Sequence, residues 1–243
     1  MRGYDGSSYG DGMAEVYDDW YPTPTDTEDC VNTLANLAGG TRVLELGAGT
    51  GRLAIPLAQR GLEVHALDGS ARMIERLRAK SGADTITTHV SDMGAPLPPG
   101  PFGLVFVAVN TFFGLIDEGA QAAAMRHVAA VLTRPGRFVV EAFVPEAQLS
   151  GDRVDVRDLT ADRVVLSVSR TDATTQRASG QFIEFRDGEP VRLRPWAIRW
   201  ATTEQLDACA AVAGFTLEHR WASWDRTPFG PESAGHVSVY RLD

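Results

Sequence analysis

Two features early in the chain combine residue types and spacing that could bind a nucleoside. Glycines at positions 47, 49 and 51 interrupt the apolar run 43–46 and let the main chain turn sharply while a ligand approaches it closely. Asp68 ends the next apolar run, about 20 residues after the first glycine, which is the spacing expected of a carboxylate that binds the two hydroxyls of a ribose. The sequence therefore predicts a strand, a glycine turn, a helix, a second strand and an acid.

The spacing of the glycines separates this loop from a dinucleotide-binding loop. The fingerprint G-x-G-x-x-G would need a glycine at position 52, where the chain carries Arg52. A G-x-G-x-G loop preceded by Glu45 suits a nucleoside that has no pyrophosphate. A glycine-rich turn between a strand and a helix can also form without any ligand, but the placement of Glu45 and Asp68 favours binding.

Residues 45–51 resemble motif I of the class I S-adenosylmethionine (SAM) methyltransferases, written E-x-G-x-G-x-G. The resemblance continues through residues 52–58 and 67–73, and in architecture it extends over most of residues 13–243. It implies SAM as the cofactor, S-adenosyl-L-homocysteine as its product and no metal. The layout is most similar to small-molecule and natural-product N-methyltransferases, such as the amino-sugar N,N-dimethyltransferases and the glycine N-methyltransferase group.

Bulk composition limits the classes of partner. The 243 residues carry a formal net charge of −9 and no run of Lys or Arg, which argues against a nucleic-acid substrate. Cys30 and Cys209 lie far apart without metal-ligand spacing, as expected of a protein in the reducing cytoplasm. Because no apolar run is long enough to span a bilayer, we expect no membrane association. A monomer and a homodimer both remain open.

The order of the apolar runs predicts an α/β fold with a Rossmann-like sheet of parallel strands, one antiparallel end strand and helices on both faces. Strands are expected at 42–46, 62–67, 85–90, 103–109 and 137–143, and helices at 51–60, 70–80 and 118–132. Short alternating runs without helices predict an inserted antiparallel β layer. We divide the chain into an N-terminal lid segment (1–40), a SAM-binding core (41–150), the β insertion (151–200) and a C-terminal helix with the last two strands (201–243).

Two of these segments carry further expectations. Residues 1–12 are rich in Gly, Ser, Asp and Tyr, so we expect them to be disordered unless a ligand orders them. The insertion is expected to form either a lid over the acceptor or a dimer interface.

The candidate cofactor residues follow from the rule that open α/β sheets bind ligands beyond the carboxyl ends of their strands. The resemblance implies that Asp68 takes the ribose hydroxyls and that Tyr17 closes over the cofactor. It also implies that Asp92 reads the adenine amino group, with the Met93 backbone beside it, and that Met73 packs near the adenine. Asp92 could instead be a turn or cap residue, Met73 a core residue and Tyr17 part of an amphipathic surface helix. The full set is Tyr17, Glu45, Gly47, Gly49, Asp68, Gly69, Met73, Asp92, Met93 and Asn110.

Catalytic candidates lie where the antiparallel end strand should meet the fifth strand. The family topology places His236 near Glu141, and a histidine with a pKa near neutral could act as a general base. The competing interpretation, a capped or core histidine, is slightly favoured. Tyr17 completes the catalytic set. Aromatic residues at the strand ends and outside the nucleotide unit are candidates to contact the acceptor, although Trp196 could equally belong to the insertion's own core: Tyr21, Phe113, Phe143, Trp196 and Trp224.

The predicted function is SAM-dependent methyl transfer to a small molecule or a modified peptide, preferably at an amine nitrogen, in bacterial secondary metabolism. The lack of a clear general acid or base in the sequence does not argue against this function, because holding the reactants in near-attack geometry can by itself lower the barrier by roughly 7–11 kcal/mol. The alternatives are an O-methyltransferase and a catalytically silent SAM-binding sensor or partner protein. Arg52 disfavours a nicotinamide-dependent dehydrogenase. Residues 110–113 depart from the Asn/Asp-Pro-Pro-Tyr pattern, which disfavours nucleic-acid bases and glutamine side chains as acceptors.

Overall fold

Two β-sheets organise the chain in the computed structural model, which describes residues 1–22, 27–117, 119–145 and 150–243. The strands are β1 (Val43–Leu46), β2 (Val64–Asp68), β3 (Thr87–Val90), β4 (Phe102–Val107), β5 (Leu132–Phe143), β6 (Gly151–Leu159), β7 (Arg163–Asp172), β8 (Arg177–Arg186), β9 (Arg192–Arg199), β10 (Phe215–Trp221) and β11 (Gly235–Leu242). The α-helices are α1 (Ser8–Met13), α2 (Tyr17–Trp20), α3 (Thr27–Ala38), α4 (Ala54–Gln59), α5 (Ala71–Arg78), α6 (Ala120–Val131) and α7 (Thr203–Val212).

The larger sheet has seven strands in the order β10-β11-β5-β4-β1-β2-β3. Strands β1 to β5 pair in parallel, whereas β11 runs antiparallel to both β5 and the edge strand β10. All four residues of β1 are buried, as expected of a parallel strand covered on both faces. This arrangement confirms the predicted fold class, including the antiparallel strand beside β5.

Helices cover both faces of this sheet. One apolar cluster joins α6 and α7 to β4 and β5, and a second joins α3 and α4 to the other face of β1 and β4. The helix expected at 51–60 begins only at Ala54, because the glycine loop continues to Gly51. Glu118, where the sequence places the start of the sixth helix, lies outside the described residues; the described helix begins at Ala120.

The smaller sheet is an antiparallel meander in the order β6-β7-β8-β9 and corresponds to the predicted insertion. Alternate residues of β8 are buried on the face that meets the N-terminal helices. That face holds a buried ion pair between Arg194 Nη1 and a Glu184 carboxylate oxygen at 2.8 Å. The Arg194 guanidinium also stacks over the ring of Trp20, 5.1 Å from its centroid.

The N-terminal segment is ordered, which corrects the expectation for residues 1–12. Helix α1 packs between β9 and α5. Gly10 allows the close approach of α1 to α5, because a Cβ at this position would lie 2.5 Å from the Cβ of Ser70. The Ser70 hydroxyl then donates to Asp11 Oδ1 at 2.5 Å. Close helix packing, rather than mobility, is therefore the reason for glycine at this position.

One further finding concerns the helices. No helix in the described part of the chain combines the length and the apolar character that a membrane crossing requires.

Helix α7 depends on a capping box for its N-terminus. Thr202 Oγ1 accepts from the Gln205 amide at 3.3 Å, and Gln205 Oε1 accepts from the Thr202 amide at 2.9 Å. We expect Thr202→Ala to lower the free energy of unfolding by about 1 kcal/mol, because one amide of the first turn loses its acceptor. Urea denaturation measures the change. Thr202→Ser keeps the hydroxyl and is the control; an equal loss in both variants would contradict the capping role.

Candidate active site

The glycine loop after β1 is fastened to the end of β2. The amides of Gly47 and Ala48 both donate to the Leu67 carbonyl, at 2.7 and 2.9 Å. Gly47 has φ of 70°, and a Cβ there would lie 2.2 Å from Thr111 Cγ2, so a side chain has neither a favourable backbone conformation nor space. The loop therefore holds its backbone close to the pocket beyond these strands.

Asp68 links this loop to the start of α5. Its Oδ2 accepts from the Gly49 amide and its Oδ1 from the Ser70 amide, each at 2.8 Å. Burial raises the pKa of Asp68, and these two hydrogen bonds act in the opposite direction. Since each carboxylate oxygen has a second lone pair, Asp68 can still accept hydrogen bonds from a pair of ligand hydroxyls.

A single pocket of about 380 Å³ extends from the glycine loop and Asp68 to aromatic residues of the N-terminal segment and the smaller sheet. Most residues singled out from the sequence lie on its wall. These are Tyr17, Tyr21, Gly47, Gly49, Asp68, Gly69, Met73, Asp92, Met93, Asn110, Phe143 and Trp196. The structure thus brings most of the cofactor candidates and most of the acceptor candidates to one cavity.

The pocket also has walls that the sequence analysis missed. Tyr4, Gly6 and Tyr9 contribute from the N-terminal segment, and Phe182 and Ile198 from the smaller sheet. Gly6 lies so close to Asp92 that a Cβ there would be 2.4 Å from a carboxylate oxygen. The available signal was the pattern of tyrosines and glycines within residues 1–12, which composition alone indicated to be disordered.

The N-terminal segment is held over the pocket by polar contacts with the glycine loop and with Lys80, which follows α5. Asp18 accepts from the Thr50 hydroxyl at 2.5 Å and from Lys80 Nζ at 2.9 Å. Tyr17 directly precedes Asp18 in the chain, and its ring centroid lies 5.1 Å from that of Tyr21. Burial, reinforced by Tyr21, raises the pKa of Tyr17 to about 12, so its phenol is protonated at neutral pH.

An exposed guanidinium stands behind the aromatic wall. The Arg157 guanidinium carbon lies 5.0 Å from the Trp20 ring centroid, 4.7 Å from that of Tyr21 and 4.9 Å from that of Phe182. These cation–π contacts join β6 to the N-terminal segment and to β8. They fix the orientation of Tyr21 and Phe182, which both line the pocket.

His236 does not reach the pocket, which corrects its candidacy as a general base. The predicted register is right, because His236 pairs with Ala142 of β5. Its side chain, however, is 1% exposed, and Nδ1 lies 2.9 Å from the Ser238 hydroxyl. Burial, with a contribution from Arg220, lowers the pKa of His236 to about 4. The structure therefore supports the core-histidine interpretation.

Glu141 and Glu45 lie behind the pocket wall. Glu141 Oε2 accepts from the Val109 amide at 2.9 Å and supports the loop that carries Asn110. Glu45 is buried beneath the glycine loop, and its Oε2 has no hydrogen-bond partner among the described residues. Burial raises the pKa of Glu45 to about 8. Neither carboxylate belongs to the pocket lining.

Two aromatic candidates also lie outside the lining. Phe113 is fully buried, and its ring packs edge-on against Phe143 at 5.1 Å, so it supports the wall from behind. Trp224 is 2% exposed and packs in the core with α3, where its carbonyl accepts from the Thr33 hydroxyl at 3.1 Å. Its assignment as an acceptor contact is therefore wrong for this structure.

Comparison with known proteins places the chain in a family. A family model described as a methyltransferase domain matches residues 43–136. The CcbJ methyltransferase from Streptomyces caelestis superposes with a TM-score of 0.90 at 34% sequence identity, over 98% of this chain and 99% of that chain. The chain belongs to the class I SAM-dependent methyltransferases. This confirms the family predicted from residues 45–51.

Two curated relatives support the same membership. An uncharacterised methyltransferase of Geobacillus sp. (strain WCH70) is 35% identical over 109 residues, which is 44% of this chain and half of the relative's length. The cypemycin N-terminal methyltransferase of a Streptomyces species is 26% identical over 199 residues, which is 80% of each chain.

The buried histidine of this methyltransferase should make its stability depend on pH. The pKa of His236 falls from 6.5 to about 4 on folding, so the contribution is complete above pH 6.5 and is lost as the pH falls towards 4. Across that window we expect the free energy of unfolding to fall by up to about 3 kcal/mol more in the wild type than in His236→Asn. Urea titrations at several pH values measure the difference. His219→Asn, which removes an exposed histidine, is the control; an equal pH slope in His236→Asn and the wild type would contradict the assignment.

Proposed function

We propose that this protein transfers the methyl group of SAM to an amine nitrogen of a small molecule or modified peptide in bacterial secondary metabolism. The observation that carries the proposal is the continuous pocket between the glycine loop with Asp68 and the aromatic wall. One end offers the polar groups that a nucleoside needs, and the other offers apolar area for an acceptor. Membership of the methyltransferase family gives the reaction type.

The cofactor end of the pocket has a suitable donor and acceptor set for SAM. We assign the ribose hydroxyls to Asp68 and the adenine amino group to Asp92. Asp92 uses Oδ1 to accept from the Gly94 amide at 2.7 Å, and its second oxygen does not share that bond. Met73 and Leu67 supply apolar surface on the same wall. Bound there, SAM would supply an electrophilic methyl group. Glu45 lies buried and incompletely hydrogen-bonded beneath the loop, and because burial raises its pKa to about 8, it is mostly neutral at neutral pH.

The acceptor end favours a substrate with cationic character. Tyr9, Tyr17, Tyr21, Phe182 and Trp196 present aromatic faces and edges to the cavity. Aromatic rings attract both a sulfonium and an ammonium through their quadrupoles. The described residues that line the cavity include no lysine, arginine or histidine, and the Arg157 guanidinium, which contacts the rings of Tyr21 and Phe182, is not part of the lining.

The protonation chemistry also favours nitrogen. An amine can lose its proton to solvent before it binds, after which its lone pair attacks without a protein base. A hydroxyl acceptor needs a base during the attack. His236 is buried outside the pocket, and Tyr17 keeps its phenolic proton at neutral pH because its pKa is about 12. Neither group supplies a strong base.

Two Streptomyces relatives support the proposed methyl transfer. Similarity to the CcbJ methyltransferase covers nearly all of both chains. The cypemycin N-terminal methyltransferase is named for a peptide N-terminus, which agrees with transfer to an amine. The acceptor of the present protein is sought first among peptides with a free N-terminus, as this relative suggests, and among amino sugars, as the sequence resemblance implies.

The assignment of Asp68 gives a direct test of cofactor binding. We expect Asp68→Ala to raise the dissociation constant for SAM by about 100-fold, because two charge-assisted hydrogen bonds are lost. Isothermal titration calorimetry measures binding, and circular dichroism establishes that the variant is folded. Asp84→Ala, at an exposed loop position, is the matched control. A folded Asp68→Ala protein with wild-type SAM affinity would remove Asp68 from the site.

The choice of nitrogen is tested with paired acceptors that differ only in an amine or a hydroxyl at one position. The protein is incubated with methyl-labelled SAM, and products are identified by mass spectrometry. We expect label only in the amine members, with a rate that rises with pH and follows the pKa of each amine. Label only in the hydroxyl members would establish an O-methyltransferase. SAM binding without turnover on a source-cell extract would favour the silent binding protein.

A further inference from the structure

A tight turn of unusual backbone conformation follows β4 on the pocket wall. Val109 and Asn110 have φ angles of 51° and 63°, and the Thr111 amide donates to the Ala108 carbonyl at 3.2 Å. Two successive residues with positive φ, closed by a hydrogen bond between the first and fourth residues, are the features of a type I′ turn. Such turns favour glycine, asparagine and aspartate, so Val109 occupies a conformation that β-branched residues rarely adopt. We call residues 108–111 the strained turn.

Three hydrogen bonds fasten the strained turn to the end of β5. Glu141 Oε2 accepts from the Val109 amide at 2.9 Å, and the Glu141 carbonyl accepts from the Asn110 amide at 3.2 Å. The Phe143 amide donates to Asn110 Oδ1 at 2.6 Å. Backbone conformations of this kind persist only where the surrounding structure holds them, and they concentrate at functional sites. The bond from the Glu141 side chain is the one made directly to the strained residue Val109.

The strained turn is part of the pocket wall and touches the glycine loop. Val109, Asn110 and Thr111 all line the cavity. Thr111 lies so close to the loop that a Cβ at Gly47 would be 2.2 Å from Thr111 Cγ2. Glu141 does not belong to the lining, so any effect of its carboxylate on a ligand passes through the turn.

The hydrogen bond from Phe143 determines what the Asn110 side chain can offer a ligand. An asparagine amide has one oxygen that accepts and one NH2 group that donates. Because Oδ1 already accepts from the Phe143 amide, Asn110 offers chiefly the two donors on Nδ2. Donors of this kind suit an anion, and the methionine moiety of SAM ends in a carboxylate. The described residues of the lining include no lysine, arginine or histidine, so such a carboxylate depends on neutral donors.

We propose that Glu141 is a positioning residue for the cofactor: its carboxylate holds Val109 in the strained turn, so that Asn110 presents Nδ2 to the methionine carboxylate of SAM. This role rests on the proposed function, which assigns SAM to the pocket. Without the Glu141 oxygen, the Val109 amide loses its acceptor and the turn relaxes towards negative φ. Asn110 then moves away from the glycine loop. Affinity for the amino-acid part of SAM falls, whereas the nucleoside part, assigned to Asp68, keeps its contacts.

Isothermal titration calorimetry of the full chain with two ligands tests this role. One ligand is SAM, and the other is 5′-methylthioadenosine, which keeps the nucleoside and the sulfur but lacks the methionine carboxylate. We expect Glu141→Ala to raise the Kd for SAM by about 10-fold, as one charge-assisted hydrogen bond is lost, and to change the Kd for methylthioadenosine by less than about two-fold. Glu141→Gln keeps an acceptor oxygen and should bind both ligands like the wild type. Glu218→Ala is the matched control, because Glu218 also bonds to β5, through Arg137, but lies outside the pocket lining.

A second substitution tests the part played by backbone strain. Glycine adopts positive φ without a steric penalty, so Val109→Gly should make the turn independent of the Glu141 side chain. In the Val109→Gly background we expect Glu141→Ala to change the Kd for SAM by less than about two-fold. Circular dichroism and urea denaturation establish that each variant is folded under the conditions of the titration.

Four results would overturn the proposal. They are a folded Glu141→Ala protein with wild-type affinity for SAM, an equal loss of affinity for SAM and methylthioadenosine, a Glu141→Gln protein as weak as Glu141→Ala, and an undiminished loss in the Val109→Gly background. An equal loss in Glu218→Ala would have the same consequence. A wild type that binds neither ligand overturns the proposed function together with the role of Glu141, whereas SAM binding without turnover contradicts the methyl transfer alone.

Discussion

The carboxylate of Asp68 is the constraint on which the pocket depends. It joins the amide of Gly49 to the amide of Ser70, so the glycine loop and the first turn of α5 are held at one point. The Ser70 hydroxyl extends this link to Asp11 and therefore to α1. A single acid thus connects the floor of the pocket to its N-terminal roof. Such a residue has a structural role in addition to any hydrogen bonds that it accepts from a ligand.

The sequence was sufficient for the core because its signals are local. Apolar runs of four to seven residues predicted β1, β2 and β4 within one or two residues, and the spacing from Gly47 placed Asp68 at the correct strand end. Family resemblance correctly placed His236 on a strand beside β5. The orientation of that side chain could not be predicted in the same way, since its burial depends on contacts with Ser238 and Phe229 in the folded chain.

The N-terminal segment shows the opposite limit. Glycine content indicates disorder when a segment is considered alone. In the folded chain, however, Asp92 and Ser70 leave no space for a side chain at Gly6 and Gly10. Those contacts join residues more than 50 positions apart in the sequence. The prediction that Trp224 contacts the acceptor was wrong for the same reason. An aromatic residue in a turn-rich tail can reach a pocket or a core, and only packing against α3 decides which.

The smaller sheet couples the acceptor wall to the outer surface through the geometry of its strands. Side chains alternate along β8, so Phe182 faces the pocket while Ile183 and Gln181 face outwards. A shift of β8 by one residue would exchange these faces, so the register of β8 decides which side chains form the acceptor wall. Arg157 reinforces that register from β6 by stacking on Tyr21 and Phe182.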